Sequence, residues 1–154
     1  MVWINNIYLY LGDYGMTEEK TNCDNCLTEP VGELVIRTIA MPEDTNPLGD
    51  IFGGWLLSQM DLGGLIAATE ISKGRITTVA IDAMRFWNPV HVGDIICVHA
   101  DLKRIGRTSI TFLINAWAVD QFTKEDKHLV TEAQFTYVSI DAYGKSLPIK
   151  KVDE

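Results

Sequence analysis

Residues 39–64 read IAMPEDTNPLGDIFGGWLLSQMDLGG, a loop that continues into the first half of a long apolar segment. The loop, residues 42–49, is rich in proline, asparagine and glycine, which interrupt regular structure. From residue 55 to residue 72 nearly every side chain is apolar or small, except for Ser58, Gln59, Asp61 and Glu70. A helix that is apolar almost all round is a buried one. The pattern therefore predicts a central helix over residues 55–72, with Gly74 as its C-terminal cap.

Segments with the two-residue alternation of β-strands flank this helix. They cover residues 33–41, 76–88, 96–102, 108–119 and 128–140. One buried helix followed by long antiparallel strands predicts an α+β fold. A sheet that wraps the helix covers it on one side only, so a sheet edge and a helix flank stay exposed. Both features favour pairing with a second copy of the chain.

The composition excludes several kinds of partner. A chain of 154 residues fits one domain with a real core. Its net charge of -8 argues against nucleic acid, which requires a dominant basic surface. No apolar run approaches the roughly 20 residues of a membrane-spanning helix, so we expect no membrane partner either. The presence of only three cysteines favours a reducing, cytoplasmic compartment.

The first thirty residues differ from the rest of the chain. We interpret residues 1–30 as a flexible extension or the product of a non-native start, and residues 31–154 as the functional domain. Cys23 and Cys26 form a C-x-x-C motif in this extension, but neither a second cysteine pair nor a nearby histidine completes a zinc site. We therefore predict no bound metal.

The first candidate for catalysis is Asp50, just before Gly53 and Gly54 at the predicted helix start. Glycines at a helix start allow a ligand to approach the backbone, and the free N–H groups there favour a developing negative charge. A thioester oxyanion bound at those donors, with a carboxylate driving attack by water, would fit this arrangement. The alternative is that Asp50 only caps the helix and that the glycines only relieve crowding.

The second candidate is Asp61, whose neighbours at helical spacing are apolar. A carboxylate on such a face is costly unless it is paired or functional. The structural alternative is an acid that accepts a hydrogen bond from a strand hydroxyl, either Thr77 or Thr78. Asp61 lies eight residues after Gly53, roughly 12 Å along the same helix. A site that uses Asp61 together with a helix start would therefore need two chains.

A third group of candidates surrounds Gly106. Arg107, Thr108 and Ser109 follow this glycine, and Lys103 and Arg104 precede it. Such a concentration of donors in an acidic chain fits a ligand that carries phosphate. A solvated hairpin tip is the structural alternative.

Four phrases resemble the YciA-like acyl-CoA thioesterases of the hotdog superfamily. They are residues 39–64 as quoted, TTVAIDAMRFWNPVHVGD (77–94), GRTS (106–109) and TYVSIDAYGKSLPI (136–149). The resemblance runs from about residue 33 to residue 149. It implies a hotdog fold, a long central helix wrapped by a curled antiparallel sheet. It also implies homodimers that assemble into a homohexamer, and hydrolysis of a broad range of acyl-CoA esters to coenzyme A without cofactors.

The resemblance also assigns roles to residues. The acid before the double glycine is the family's catalytic carboxylate, the position of Asp50, whereas related hotdog thioesterases use the helix acid, where Asp61 stands. Which of the two activates water is left open, with Asp50 favoured. The GRTS segment resembles the part that contacts the CoA nucleotide, which gives Arg107 the phosphate role. Thr78 and Asn88 complete the expected substrate-binding residues.

Two other functions compete with hydrolysis. Hotdog dehydratases act on acyl thioesters with a histidine and an acid, but no histidine occurs in residues 1–89. A non-catalytic acyl-CoA binding module is the other alternative, and a hydrolysis assay separates it from an enzyme. The acyl pocket has four candidate residues that could equally be core: Met60, Met84, Phe86 and Trp87.

Overall fold

The computed structural model describes residues 26–122 and 127–149. These residues form one helix, a short 3-10 turn and a five-stranded antiparallel sheet in the order β1-β3-β4-β5-β2. The helix α1 packs on one face of the sheet, which confirms the predicted α+β layout. The elements are β1 (Glu33–Ile39), the 3-10 turn (Pro42–Asp44), α1 (Gly53–Ser72), β2 (Ile76–Phe86), β3 (Ile95–Ile105), β4 (Ser109–Val119) and β5 (Lys127–Ser139).

The helix α1 ends at Ser72 as predicted, but its start and its C-terminal cap differ from the prediction by two residues and one residue. The helix begins at Gly53, with Phe52 as its N-cap, because the two glycines join the first turn. Lys73 adopts the left-handed conformation at the C-terminus, with φ of 51°, and its N–H donates to the Thr69 carbonyl. The prediction of Gly74 as the cap is therefore wrong by one position.

The core lies between α1 and the inner face of the sheet. Leu56, Met60 and Ala68 are fully buried on the helix side. Full burial of one large apolar side chain stabilises the fold by roughly 1.5–3 kcal/mol. The large aliphatic side chains that are fully buried on the sheet side are Ile96, Val98, Ile110, Ile114 and Val130.

Two glycines in the middle of α1 allow the sheet to approach closely. A Cβ atom on Gly63 would lie 2.8 Å from the Val35 side chain. One on Gly64 would overlap the Tyr137 hydroxyl and the Ile114 side chain. The absence of side chains at these positions therefore sets the distance between the helix and the sheet.

One flank of the molecule is apolar and uncovered. Leu62 and Ile66, one turn apart on α1, are 50% and 48% exposed. This exposure agrees with the expectation that a single sheet covers the helix on one side only and leaves a flank exposed. Strand β2 is an edge strand, and its Val79 and Ile81 are also exposed. An apolar helix flank and an unpaired apolar strand edge are typical of a surface that pairs with another chain.

The predicted extension is outside the described residues as far as residue 25. Cys26 is disulfide-bonded, and Cys97 is a free cysteine. The expectation of a reducing compartment does not anticipate that bond, and the cytoplasmic location stays a prediction. Within the described ranges, no helix is both long enough and apolar enough to cross a membrane.

Replacing Gly64 tests the close approach of helix and sheet. We expect Gly64→Ala to lower the free energy of unfolding by about 2 kcal/mol, because overpacking outweighs the roughly 1 kcal/mol that alanine gains in a helix. Urea unfolding at one fixed protein concentration measures this change. Gly74→Ala is the matched control, since the nearest atom to an added Cβ there lies 3.7 Å away. Equal stability of the two variants would contradict the packing argument.

Candidate functional site

The loop before α1 is held in shape by Asn46. Its side-chain oxygen accepts hydrogen bonds from the N–H groups of Leu48 (2.9 Å) and Asp50 (3.2 Å). Its own N–H donates to the Asp50 carbonyl at 2.7 Å. Asparagine is suited to this position because its side chain readily bonds backbone groups two residues on. The loop thus fixes the backbone of Asp50, whose side chain is half-buried, just before the helix.

The first turn of α1 presents free backbone donors. The N–H groups of Trp55 and Leu56 donate to the Phe52 carbonyl at 3.0 and 3.3 Å. The N–H groups of Gly53 and Gly54 precede these bonds and have no place in the helical ladder. No side chain caps this end of the helix. The alternative interpretation of Asp50 as a capping residue is therefore wrong.

The side chains around the helix start explain the two glycines. A Cβ atom on Gly53 would lie 3.2 Å from the Phe86 ring, and one on Gly54 would lie 2.8 Å from the Phe52 ring. The aromatic rings thus occupy the space that a side chain would need. Glycine at both positions thus avoids crowding against these rings, with Gly53 half-buried and Gly54 exposed.

An apolar groove of about 310 Å³ opens beside these donors. This volume is in the range of small-molecule binding pockets. Two of the four predicted acyl-pocket residues, Met84 and Phe86, line it, whereas Met60 is fully buried in the core and Trp87 is not part of the lining. The complete lining is Asn46, Phe52, Gly53, Gly54, Leu57, Met84 and Phe86.

Asp61 lies further along the helix with two hydroxyl groups against it. The Thr78 hydroxyl donates to Asp61 Oδ1 at 2.6 Å, which confirms the predicted strand partner. The Tyr137 hydroxyl contacts Asp61 Oδ1 at 3.4 Å and the Asp61 carbonyl at 3.3 Å. Burial, together with the charge and hydrogen bond of Asp61, raises the pKa of Tyr137 well above its ordinary value. The hydroxyl therefore stays protonated and donates to the carboxylate.

Tyr137 is not among the site residues that were predicted from the sequence. Its position in an alternating strand marks it only as a core residue. Its approach to Asp61 depends on the pairing of β5 with β2, in which Thr78 lies opposite Tyr137. These two strands are far apart in the sequence, so no local pattern predicts that pairing. The role of Asn46 had a usable signal, the N-P-x-G turn sequence.

The hairpin between β3 and β4 carries Arg107, which is exposed, and the half-buried Thr108 and Ser109. The Thr108 carbonyl accepts from the Ser139 N–H at 2.9 Å, and the Arg75 carbonyl accepts from the Ile140 N–H at 3.0 Å. The C-terminal end of α1 and this hairpin are therefore neighbours. Together they form a basic end of the molecule, defined by Lys73, Arg75, Lys103, Arg104, Arg107 and Lys145. Lys103 pairs with Asp101 at 2.6 Å, which leaves the arginines as the better candidates for a phosphate.

The predicted site residues do not meet in one chain. Val130 of β5 lines a small cavity with Gly53, whereas Ser109 pairs with Val138, eight residues further along β5. At roughly 3.3 Å per residue, the helix start and the basic end are about 26 Å apart. Asn88 lies at the helix-start end, where its amide donates to the Leu129 carbonyl at 2.6 Å. The prediction that Asp61 cannot reach its own helix start fits this arrangement.

The described residues contain no group of three or more histidine, cysteine, aspartate or glutamate side chains that could hold a metal ion. The chemistry that these residues themselves offer is that of a carboxylate three residues before backbone N–H donors, which border an apolar groove. Such an arrangement can activate water and stabilise an oxyanion.

Comparison with known proteins shows which proteins the chain is similar to. The thioesterase superfamily profile matches residues 48–123, which include the end of the loop, α1, β2, β3 and β4. The acyl-CoA thioester hydrolase YciA of Salmonella typhimurium is 49% identical over 132 residues, which are 84% of this chain and 96% of that protein.

Two solved structures have the same fold. A hexameric thioesterase from Yersinia pestis is 50% identical with a TM-score of 0.75, over 80% of this chain and 99% of that one. A hexameric hotdog fold thioesterase of Campylobacter jejuni is 45% identical with a TM-score of 0.71, over 77% of this chain and 91% of that one. The predicted hotdog fold is confirmed.

Proposed function

Because the chain belongs to the YciA family of acyl-CoA thioester hydrolases, we propose that it hydrolyses acyl-CoA to free coenzyme A and a carboxylic acid, with Asp50 as the general base. The observation that carries this assignment is the position of Asp50 directly before the free N–H groups of Gly53 and Gly54, beside an apolar groove. The groove receives the acyl chain, and the N–H groups receive the carbonyl oxygen of the thioester.

The reaction proceeds through attack by water. Asp50 accepts a proton from a water molecule while the water oxygen bonds to the thioester carbon. The carbonyl oxygen becomes an oxyanion that accepts hydrogen bonds from Gly53 and Gly54, the kind of stabilisation that usually contributes most to such reactions. The C–S bond then breaks, the thiolate of coenzyme A leaves, and it takes the proton held by Asp50. The products are the carboxylic acid and the thiol.

The active site forms between two copies of the chain. Strand β2 runs from the basic end to the helix-start end, so antiparallel pairing of two β2 edges places the partner's basic end beside this helix start. The exposed Val79 and Ile81 on that edge, and Leu62 and Ile66 on the helix, then become buried. Asp61 of each chain approaches the helix start of the other, where it orients the attacking water.

Arg107, Thr108 and Ser109 bind the nucleotide end of the substrate. An arginine binds phosphate oxygens through charge-assisted hydrogen bonds. Thr78 acts on the substrate through Asp61, to whose carboxylate it donates a hydrogen bond, and Asn88 lines the small cavity beside Gly53 at the helix start. The long separation of the basic end from the groove suits a substrate whose phosphates and thioester lie at opposite ends.

We expect homodimers that assemble into a homohexamer, as in the hexameric relatives. The lining of the groove is almost wholly apolar, with Asn46 as the one polar side chain among its lining residues, which supports a broad acyl range. A dehydratase and a non-catalytic binding module are weaker proposals, because relatives almost half identical to this chain are named as hydrolases.

Neutralising Asp50 tests the proposed base. Asp50→Asn should lower kcat by at least about 100-fold, because loss of a general base removes an effect of that size, while acyl-CoA binding largely survives. Release of free thiol from acyl-CoA measures kcat, and calorimetric titration with coenzyme A measures binding. Asp44→Asn is the matched control in the same loop, since its side chain accepts only the Met41 N–H. Near-normal turnover in Asp50→Asn would transfer the role of base to Asp61.

Removing the arginine side chain tests the nucleotide site. Arg107→Ala should raise KM about tenfold for short and long acyl-CoA alike, because one charge-assisted bond to phosphate contributes roughly 1.5–3 kcal/mol. Turnover at saturation should change little, since ground and transition states share that bond. The increase should disappear with an acyl-pantetheine substrate, which has no nucleotide. Arg37→Ala is the control, because Arg37 lies in β1, the edge strand across the sheet from β2. An unchanged KM for full-length acyl-CoA would rule out the assignment.

A further inference from the structure

Thr78 and Tyr137 direct two hydroxyl groups to the same oxygen atom. Both contact Oδ1 of Asp61, at 2.6 and 3.4 Å. They reach it from one side because they are directly paired residues of β2 and β5. A carboxylate has two oxygens with about four acceptor sites, and these contacts fix the orientation of one of them. The position of the other oxygen, Oδ2, is thereby also determined.

The space for the Tyr137 hydroxyl exists only because Gly64 has no side chain. The Tyr137 ring is fully buried and packs against Phe112 and Phe135, with ring centroids 6.3 Å away in both cases. Its hydroxyl therefore meets the helix at Gly64, three residues after Asp61 and on the same helical face. A phenylalanine would fill the same aromatic core, so packing alone does not explain the hydroxyl.

We infer that Tyr137 is a positioning residue for the reaction, which together with Thr78 holds Oδ1 of Asp61 so that Oδ2 faces the helix start of the partner chain. The inference rests on the proposed function, in which Asp61 orients the attacking water. Tyr137 does not touch the substrate, since it acts from within the core through Asp61. The Tyr137 hydroxyl lies 3.3 Å from the Asp61 carbonyl and 3.4 Å from Oδ1, so its hydrogen bond is shared between two acceptors. Tyr137 is therefore a weaker donor to Oδ1 than Thr78.

A double-mutant cycle tests this role. Tyr137→Phe should lower kcat about tenfold with an unchanged KM, the effect of removing one hydrogen bond to a charged acceptor. In an Asp61→Asn background the same change should have no further effect, because the group on which Tyr137 acts has been altered. Single turnovers with enzyme in excess keep slow variants measurable. Tyr143→Phe is the matched control, since Tyr143 is 96% exposed.

The outcomes separate the inference from the function on which it rests. An equal loss from Tyr137→Phe in both backgrounds, or no loss in either, would overturn the positioning role and leave the proposed hydrolysis intact. Normal turnover in Asp61→Asn itself would remove Asp61 from the mechanism and overturn both. Thermal unfolding of Tyr137→Phe close to that of the unmodified protein identifies the loss of turnover as a local effect.

Discussion

A single antiparallel sheet can cover only one side of a helix. The exposed surface of this molecule and the placement of its functional groups both depend on this limit. The helix α1 buries Leu56, Met60 and Ala68 in the sheet, but Leu62 and Ile66 on its other side stay exposed. The edge strand β2 adds exposed apolar residues next to them. An isolated chain leaves this apolar flank exposed to water, which favours pairing with a second chain.

The same constraint separates the functional groups. The helix start, with its free N–H groups and the carboxylate of Asp50, lies at one end of the sheet, and the basic end around Arg107 lies about 26 Å away. When two β2 strands pair in opposite directions, the helix start of each chain lies beside the basic end of its partner. Burial of apolar surface and assembly of the proposed site would then result from the same contact.

The sequence was sufficient to predict the elements because their patterns are local. The apolar run of α1 and the alternation in the strands predicted the fold class, and the glycines beside Asp50 predicted the candidate site. Lys73 at the helix terminus was not predicted, because glycine is the usual residue in that conformation. The contact of Tyr137 with Asp61 depends on the pairing of β2 with β5, which are separated by two other strands in the chain. A pattern within one strand contains no information on such a pairing.

An active site shared between two chains can be tested by mixing two inactive proteins. Asp50→Asn and Asp61→Asn chains are combined, exchange of subunits is demonstrated by mass spectrometry, and thiol release is measured. In a mixed dimer one site contains both lesions and the other contains none. Equal mixtures should therefore recover about a quarter of the unmodified activity. No recovery after complete exchange between well-folded chains would contradict the shared site.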